Sequence, residues 1–502
     1  MKARIPHPFF TYISQFTLKS IIVAISYWAF YLIKKPSDQF GFYATIKDYS
    51  IIHNGKRIKS KVSLYQPNLI DVMYEVINYN CFGNREITFD EALYLIHLHV
   101  NWEGAIHSKK SNHTDFMLSL FGNLGEQKRF QFASDFFDDF SREKYILETI
   151  SKKEHTKNNI SIDIQKDFFE ETALSTDNYS ALLFVLFVYF SNINNVLSPQ
   201  KIKSELNHPD LSNDRIIHML KKYSVSIDEV RESTAKRQIF YQKPLLEIDG
   251  VYVSVNPFLL LCTFVNSNFW VIRNKYMNAG KDTQRFTNAF GNYFEIYLEE
   301  VLQNCLSKEQ FENIPEAKNG KRADWYVNIG GYHFLIEQKS TISMLGIKQS
   351  HPDVEAMKRH ILKNWGEAVE QLEETQRFYK LDNAIKIILV YEDYYNSVCL
   401  DTLFDLSPGL TNDNNYWLVS IQDFERLIYT YKTNPSMFSK IVQEKIEAEM
   451  THSTNGRDLS MFLLKNGITQ NGYLEECGIV DEFKKIENYI YYKKSDDNKV
   501  KK

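Results

Sequence analysis

Three charged residues in the second half of the chain have the types and spacing of a metal-dependent site. Asp324 opens one short β-type segment, and Glu337 and Lys339 close the next. Two carboxylates that meet on neighbouring strands repel each other unless a cation neutralises them. Because all the ligands would be oxygens, Mg²⁺ or Mn²⁺ is favoured over zinc. A lysine beside such an ion stabilises developing negative charge, and this combination indicates cleavage of phosphodiester bonds.

A glycine turn brings these residues together. Gly330-Gly331 joins the β-type segments 324–329 and 332–339, and glycine reaches the positive φ angles of type I′ and II′ turns without a steric penalty. A two-residue turn fixes the register, so the two carboxylates are predicted to lie directly opposite each other. Since side chains alternate between faces, both carboxylates and the lysine share one face. The other face is predicted to be a core face, formed by Trp325, Val327, Ile329, Tyr332, Phe334 and Ile336.

The order Asp…Glu-x-Lys on a hairpin resembles the PD-(D/E)xK nuclease superfamily, which has the restriction-endonuclease-like fold. Ala323 stands before Asp324 where the family often has proline. The resemblance implies that Asp324 and Glu337 hold the metal, with the main-chain carbonyl of Gln338 as a further oxygen ligand. It implies that Lys339 orients or activates the attacking water.

The Glu-x-Lys triplet carries little information by itself, because the chain contains four copies. Only the triplet at Glu337 lies on a predicted strand with an acid opposite and an apolar second face. The other copies begin at Glu126, Glu316 and Glu482.

A strongly periodic helix is predicted before the hairpin, over 284–303. Its apolar residues recur at spacings of three and four, as on a helix with one buried face. The resembled family usually opens with such a helix and often has a glutamate on it that faces the metal. Glu295 is the candidate, and Glu299, one turn later, is the alternative. An ordinary solvated glutamate would give the same pattern.

A long helix is predicted after the hairpin, from His351 to about Lys380. The resembled family often places a lysine or glutamine of this helix near the metal. Gln371 is the candidate, with Lys363 and Gln376 as alternatives. Taken alone, each is explained more readily as an ordinary surface residue.

The predicted fold class is α+β and multidomain, because 502 residues exceed what one core supports. A largely helical N-terminal half is expected to precede a restriction-endonuclease-like αβββαβ core and a helical C-terminal appendix. The core elements are the helix over 284–303, a strand over 311–314, the hairpin, the helix over 351–380 and strands over 384–391 and 416–420. The predicted domains are 1–155 (helical, with a basic hairpin), 156–275 (helical, with a candidate winged helix), 276–432 (nuclease) and 433–502 (appendix).

Two N-terminal segments have patterns found in nucleic-acid-binding proteins. Asn54-Gly55 predicts a hairpin with four basic residues on its second strand. The helices predicted over 199–206 and 214–222, followed by a hairpin over 241–255, have the spacing of a winged helix. A solvated hairpin and an ordinary helical pair are the alternatives.

A net charge of −4 argues against general binding to polyanions, so a nucleic-acid surface would have to be local. Lys321, Arg322, Lys348 and Lys363 flank the predicted site and are the candidate contacts. DNA is the expected partner.

The resemblance implies a Mg²⁺-dependent DNA endonuclease, with Mn²⁺ as a second usable metal. The architecture resembles effectors of bacterial restriction and anti-phage systems, in which a large partner-binding half precedes a nuclease core. Partner defence proteins and a homo-oligomer both fit that architecture. Two alternatives stay open: a non-catalytic nucleic-acid-binding or scaffold subunit with this fold, and a nuclease that acts on RNA or tRNA.

The cysteines and apolar segments favour a cytoplasmic protein without a membrane partner. Five scattered cysteines without a Cys-x-x-Cys pair predict buried thiols in a reducing compartment. The apolar runs 21–33 and 181–190 are too short to span a bilayer. No phosphate-binding loop, nucleophile elbow or His-Glu-x-x-His motif is present in the sequence.

Overall fold

The computed structural model describes most of the chain. The described residues are 8–34, 43–53, 56–79, 83–106, 115, 118, 135–153, 162–205, 212–235, 237–278, 284–315, 321–342, 353–392, 397–407, 409–452 and 456–486.

The protein is mixed α/β. Its helices are α1 (Pro8–Ile13), α2 (Leu18–Lys34), α3 (Gln66–Asn78), α4 (Phe89–Ile106), α5 (Asp135–Glu148), α6 (Ile164–Thr172), α7 (Thr176–Val188), α8 (Pro199–Glu205), α9 (Asn213–Lys222), α10 (Ile227–Glu232), α11 (Gln238–Gln242), α12 (Pro257–Val265), α13 (Ser267–Asn278), α14 (Arg285–Cys305), α15 (Val354–Ile361), α16 (Glu367–Tyr379), α17 (Ser397–Leu406), α18 (Ile421–Thr433), α19 (Pro435–Met450), α20 (Leu459–Lys465) and α21 (Gly472–Glu476). Its strands are β1 (Tyr43–His53), β2 (Lys56–Tyr65), β3 (Val196–Leu197), β4 (Ser224–Ser226), β5 (Leu245–Ile248), β6 (Val251–Ser254), β7 (Phe311–Asn313), β8 (Trp325–Ile329), β9 (Tyr332–Lys339), β10 (Ile385–Val390) and β11 (Tyr416–Ser420).

A five-stranded sheet in the order β11-β10-β9-β8-β7 contains the predicted hairpin. Strands β7, β8 and β9 are antiparallel neighbours, whereas β9, β10 and β11 run parallel. Helix α14 precedes the sheet, and α15 and α16 connect β9 to β10 through a π-helical segment, Leu362–Gly366. The elements from α14 to β10 therefore occur in the predicted order. Helix α17, between β10 and β11, was not predicted.

Each face of this sheet packs against its own layer of helices. On one face, the alternate apolar residues of β8 and β9 lie in the same core as α14 and α18, so the predicted core face of the hairpin is confirmed. On the other face, Leu335, Ile388 and Leu418 form a second core with α15, α16 and α17. Strand β10 is buried along its whole length, as expected for a strand covered on both faces.

The N-terminal half contains the predicted hairpin and a second sheet. Strands β1 and β2 pair from Tyr43–Tyr65 to His53–Lys56, so the hairpin is longer than predicted, and its two-residue tip lies outside the described residues. A four-stranded sheet has the order β3-β6-β5-β4. The helices α8 and α9 follow β3 directly, and the short turn predicted between them lies outside the described residues.

A buried ion pair joins the N-terminal half to the rest of the chain. The guanidinium of Arg142 on α5 donates through Nε and Nη2 to the two carboxylate oxygens of Glu425 on α18, at 2.7 Å each. The hydroxyl of Tyr297 on α14 and the amide of Asn471, the N-cap of α21, also donate to Glu425. One carboxylate on α18 thus binds residues of three other elements that are far apart in sequence. The predicted domain boundaries stay predictions.

The remaining sequence-based expectations concern cysteines and membranes. Cys305 and Cys399 are buried and Cys262 is partly buried, but Cys477 is exposed, so the expectation of buried thiols is wrong for Cys477. No single described helix has both the length and the apolarity to cross a bilayer. A bent pair, Ile164–Thr172 with Thr176–Ile193, meets those criteria by length and composition only.

The Arg142–Glu425 pair provides a test of how the halves are joined. Replacing either residue alone leaves a buried charge without its partner, which costs about 3–5 kcal/mol. Arg142→Ala or Glu425→Ala should therefore lower the urea midpoint of unfolding, measured by circular dichroism, far more than Asp481→Ala. The control breaks the exposed pair Asp481–Lys484, whose side chains are 57% and 59% exposed and whose contribution should be below about 1 kcal/mol. Equal midpoints for all three variants would contradict this role.

Candidate active site

Strand β9 presents a glutamate and a lysine on the face that packs against α15 and α16. Glu337 is only 4% exposed, and the side chain of Lys339 is 17% exposed. Because the two residues are separated by one position, they project to the same side of the strand. The Lys339 ammonium donates to Glu337 Oε1 at 2.7 Å. Ile388 of β10 lies beside Glu337, so the carboxyl is in a largely apolar setting.

Asp324 lies in a bend immediately before β8. The regular β8–β9 ladder runs from Ile329–Tyr332 to Trp325–Ile336, as predicted, but does not continue to Asp324. Instead the Asp324 N–H donates to the Ile336 carbonyl at 3.0 Å, and its Oδ2 accepts from the Gln338 N–H at 2.8 Å. The prediction that strand pairing places Asp324 directly opposite Glu337 is therefore wrong in detail. A short polar side chain substitutes here for a main-chain ladder bond.

Helix α16 holds the two strands of the site in place. The side-chain oxygen Oε1 of Gln371 lies 3.4 Å from the Lys339 ammonium. The side-chain amide nitrogen Nε2 of Gln371 donates to the main-chain oxygen of Arg322 at 3.1 Å. One turn later, Thr375 Oγ1 accepts from the Ala323 N–H at 2.8 Å. The helix therefore contacts both Lys339 and the segment that leads into the Asp324 bend.

The electrostatics of the site are dominated by the cost of burying Glu337. Burial first, and then the neighbouring Asp324 carboxylate, raise the pKa of Glu337 to about 8, although Lys339 acts in the opposite direction. Desolvation and a nearby like charge both disfavour the ionised carboxyl. Near neutral pH, Glu337 is therefore predominantly protonated in the absence of a further cation.

The residues present fit a hard divalent cation. Glu337 Oε2 is buried and accepts no hydrogen bond from the described residues, and Asp324 supplies a second carboxylate, which hydrogen-bonds with Glu337 when Glu337 is protonated. Gln338 directs its N–H toward Asp324, and the N–H and C=O of one strand residue point to the same side, so its carbonyl faces the same space. Mg²⁺ is commonly held by one or two carboxylates and several waters. The described residues contain no cluster of three or more His, Cys, Asp or Glu side chains suited to a metal.

Glu295 lies across the sheet from Glu337. It is on α14, in the layer that packs against the face carrying Trp325, and its Oε1 accepts from Asn313 Nδ2 at 3.1 Å. Asn313 pairs with Trp325 in the β7–β8 ladder, so Glu295 lies at the same end of the sheet as Asp324. Its assignment to the site stays a prediction.

The predicted nucleic-acid contacts have different surroundings. Lys321 is exposed and lies 3.9 Å from Glu367 at the start of α16. The Arg322 guanidinium stacks over the exposed ring of Phe378, at 3.6 Å from its centroid. Lys363 is exposed on the π-helical segment, and Lys348 lies outside the described residues. Among the alternatives, Gln376 donates to the Leu381 carbonyl at 3.0 Å, near the end of α16.

Sequence reasoning missed Thr375 and Phe378, which position the segment before Asp324. The only available signal was their spacing of four and seven residues from Gln371, which puts them on roughly one side of α16. A helical threonine that accepts a hydrogen bond from a main-chain N–H far away in sequence cannot be distinguished in sequence from any other helical threonine.

The pH dependence of stability provides a test of the buried carboxyl. Because the folded-state pKa of Glu337 is about 8 and the unfolded value is near 4.3, folding favours the protonated form. This contribution to stability should be fully present below about pH 4 and should be lost as the pH rises toward 8, by roughly 1.4 kcal/mol per pH unit. Glu337→Gln should remove this contribution, so its unfolding temperature, measured by scanning fluorimetry, should exceed that of the parent chain increasingly from pH 5 to 8. A constant difference over that range would contradict the raised pKa.

Known proteins provide no assignment for this site. Comparisons with protein-family models, with curated proteins and with solved structures find no match to this chain. Any function must therefore be argued from the residues and contacts of the chain itself.

Proposed function

We propose that the chain is a Mg²⁺-dependent endonuclease that hydrolyses DNA phosphodiester bonds. The observation that carries the proposal is the meeting of Asp324, Glu337, Lys339 and Gln371 at one end of the five-stranded sheet. Two carboxylates, one ammonium and one amide are brought together by contacts among the bend before β8, strand β9 and helix α16. Such a set can hold a cation, bind a phosphate and position a water.

Asp324 and Glu337 would hold the ion, together with the Gln338 carbonyl. When bound, Mg²⁺ lowers the pKa of a coordinated water and neutralises charge that develops on the phosphate. Glu337 must lose its proton to become a ligand, and the charge of the bound cation would then offset the burial and the repulsion from Asp324 that raise its pKa. Mn²⁺, which also accepts oxygen ligands, should support the same role.

Lys339 would act on the reacting groups directly. In the described structure, its ammonium bonds to Glu337 at 2.7 Å and lies 3.4 Å from Gln371. If a cation neutralises Glu337, the ammonium can turn to a water or to a phosphate oxygen while Gln371 limits its movement. An ammonium in that position stabilises the additional negative charge of the transition state.

We further propose that the region from α14 to β10 is a restriction-endonuclease-like core. The support is the order αβββαβ, a β-meander followed by a parallel strand and helices on both faces. In such a core, Glu295 would be a further site residue, less directly supported than Asp324, Glu337 and Lys339. Fold alone does not determine function, so the nuclease proposal depends on the site residues.

The biological setting is proposed from architecture alone. A large N-terminal half tied to a nuclease-like core fits an effector of a bacterial restriction or anti-phage system that acts in the cytoplasm. Partner defence proteins or self-association would then control the site.

A non-catalytic scaffold or nucleic-acid-binding subunit is the second candidate. The observation in its favour is the Lys339–Glu337 contact, which supplies a countercharge to Glu337 without a metal. Against it stands the cost of keeping Glu337 buried next to Asp324, which a scaffold would avoid by losing either carboxyl.

Cleavage assays test the proposal. The purified chain should nick or cut plasmid and linear DNA with Mg²⁺ or Mn²⁺ and not with EDTA. Asp324→Ala, Glu337→Ala and Lys339→Ala should each lower the rate at least about 100-fold, because each removes a ligand or a charge-stabilising group. Lys484→Ala is the matched control, because it alters an exposed lysine in another Glu-x-Lys triplet.

The outcomes separate the alternatives. Cleavage by Glu337→Ala and Lys339→Ala at the parental rate would contradict the site assignment. A parallel RNA and tRNA panel, with the same variants, determines whether DNA is the substrate. Activity that depends on these residues but is confined to RNA would keep the site and replace the substrate.

A further inference from the structure

The second sheet has the strand connectivity of a winged helix. Strand β3 pairs with β6, and β6 pairs with β5, all antiparallel. In chain order, helix α7 precedes β3, helices α8 and α9 follow it, and the hairpin β5–β6 comes later. The chain order is thus a helix, a strand, two helices and a hairpin. The second strand of the hairpin, β6, lies between β3 and β5 in the sheet. The segment β4–α10–α11 is an insertion after α9, and β4 joins the sheet edge beside β5.

In DNA-binding helix-turn-helix proteins, the second helix of the pair enters the DNA groove, and α9 has that place here. Its buried face consists of Ile216, Met219 and Leu220. These residues belong to the hydrophobic core that also contains residues of α14 and α18. Its exposed face carries Arg215, His218 and Lys221, which recur at a spacing of three residues along one side.

These exposed side chains are available for a ligand. None of them makes a side-chain hydrogen bond or ion pair within the part of the chain that the structure describes. Other lysines near the same sheet do have acidic partners: Lys243 pairs with Glu229, and Lys19 pairs with Asp249 at 3.1 Å each. These two acids are therefore engaged elsewhere, and the basic side chains of the α9 face outnumber Asp214, the one acid on that helix.

We propose that α9 binds the major groove of duplex DNA through this face, defined by Arg215, His218 and Lys221. The charge is complementary to the phosphates, and arginine, lysine and histidine can also donate to groove acceptors. An α-helix with its side chains is about 10–12 Å across, which suits a groove about 12 Å wide. The β5–β6 hairpin turns at Asp249-Gly250. Asp249 pairs with Lys19, so the tip of the hairpin adds no net positive charge.

The deep, narrow major groove of duplex RNA does not admit a helix. The proposal therefore expects B-form DNA to be preferred over duplex RNA. It goes beyond the nuclease proposal, because it concerns binding by a surface on another sheet and does not need a metal.

Binding measurements in EDTA test the proposal independently of cleavage. Fluorescence anisotropy of the full-length chain with a labelled random-sequence DNA duplex should show salt-dependent binding. The triple variant Arg215→Ala, His218→Ala, Lys221→Ala should bind at least about tenfold more weakly. The slope of log affinity against log salt should fall by about one for each phosphate that the variant no longer neutralises. An excess of unlabelled duplex RNA should compete poorly.

A matched triple variant controls for net charge and folding. Gln303→Ala, Lys308→Ala, Lys440→Ala changes exposed residues away from α9 and removes the same two full positive charges. It should bind DNA within about twofold of the parent chain. Both variants should retain the parental unfolding temperature, since all six positions are exposed.

Parental affinity in the α9 variant, no binding by the parent chain, or equal weakening in both variants would each overturn the proposal. Competition by duplex RNA as effective as by DNA would also overturn it. If the parent chain binds DNA but does not cleave it when Mg²⁺ is present, that result would count against the nuclease proposal alone.

Discussion

The tight turn at Gly330-Gly331 is the constraint on which the rest of the site depends. Both glycines have positive φ angles, +61° and +83°, which L side chains rarely adopt. At Gly330 a Cβ atom would also come within 2.9 Å of the Phe438 ring on α19, whereas at Gly331 no atom lies within 4 Å. The turn thus sets the register of β8 against β9, and at Gly330 it packs against α19. A shift of one residue would send Glu337 and Lys339 into the apolar core.

The site combines this fixed register with an unfavourable charge arrangement. Glu337 is buried next to Asp324, and the only described countercharge that bonds to it is the Lys339 ammonium. Perturbed carboxyls of this kind are enriched at functional sites, although structural ion pairs also perturb pKa values. The Arg142–Glu425 pair shows the structural alternative in the same molecule. There, the two carboxylate oxygens accept from an arginine, a tyrosine and an asparagine, whereas Glu337 Oε2 accepts from no described donor. That contrast favours a functional role for Glu337.

Local patterns in the sequence predicted the elements well where they follow from periodicity and turn chemistry. The hairpin register, the buried face of α14 and strand β10 all follow from such patterns. The bend at Asp324 did not, because it depends on side-chain and main-chain bonds to Gln338 and Ile336. The roles of Thr375 and Phe378 depend on how α16 packs on the strand. The Arg142–Glu425 contact spans 283 positions, a separation at which no local pattern is informative.

The central claim is that Asp324 and Glu337 form a cation site in which Glu337 exchanges a proton for a metal ion. Calorimetric titration with Mn²⁺ at pH 7, in buffers of different ionisation enthalpy, measures both the binding and the protons released. With the pKa of Glu337 near 8, the parent chain should release close to one proton for each ion bound, and Asp324→Asn and Glu337→Gln should lose the binding. Mn²⁺ binding of parental strength in Asp324→Asn, or binding by the parent chain without proton release, would contradict the claim.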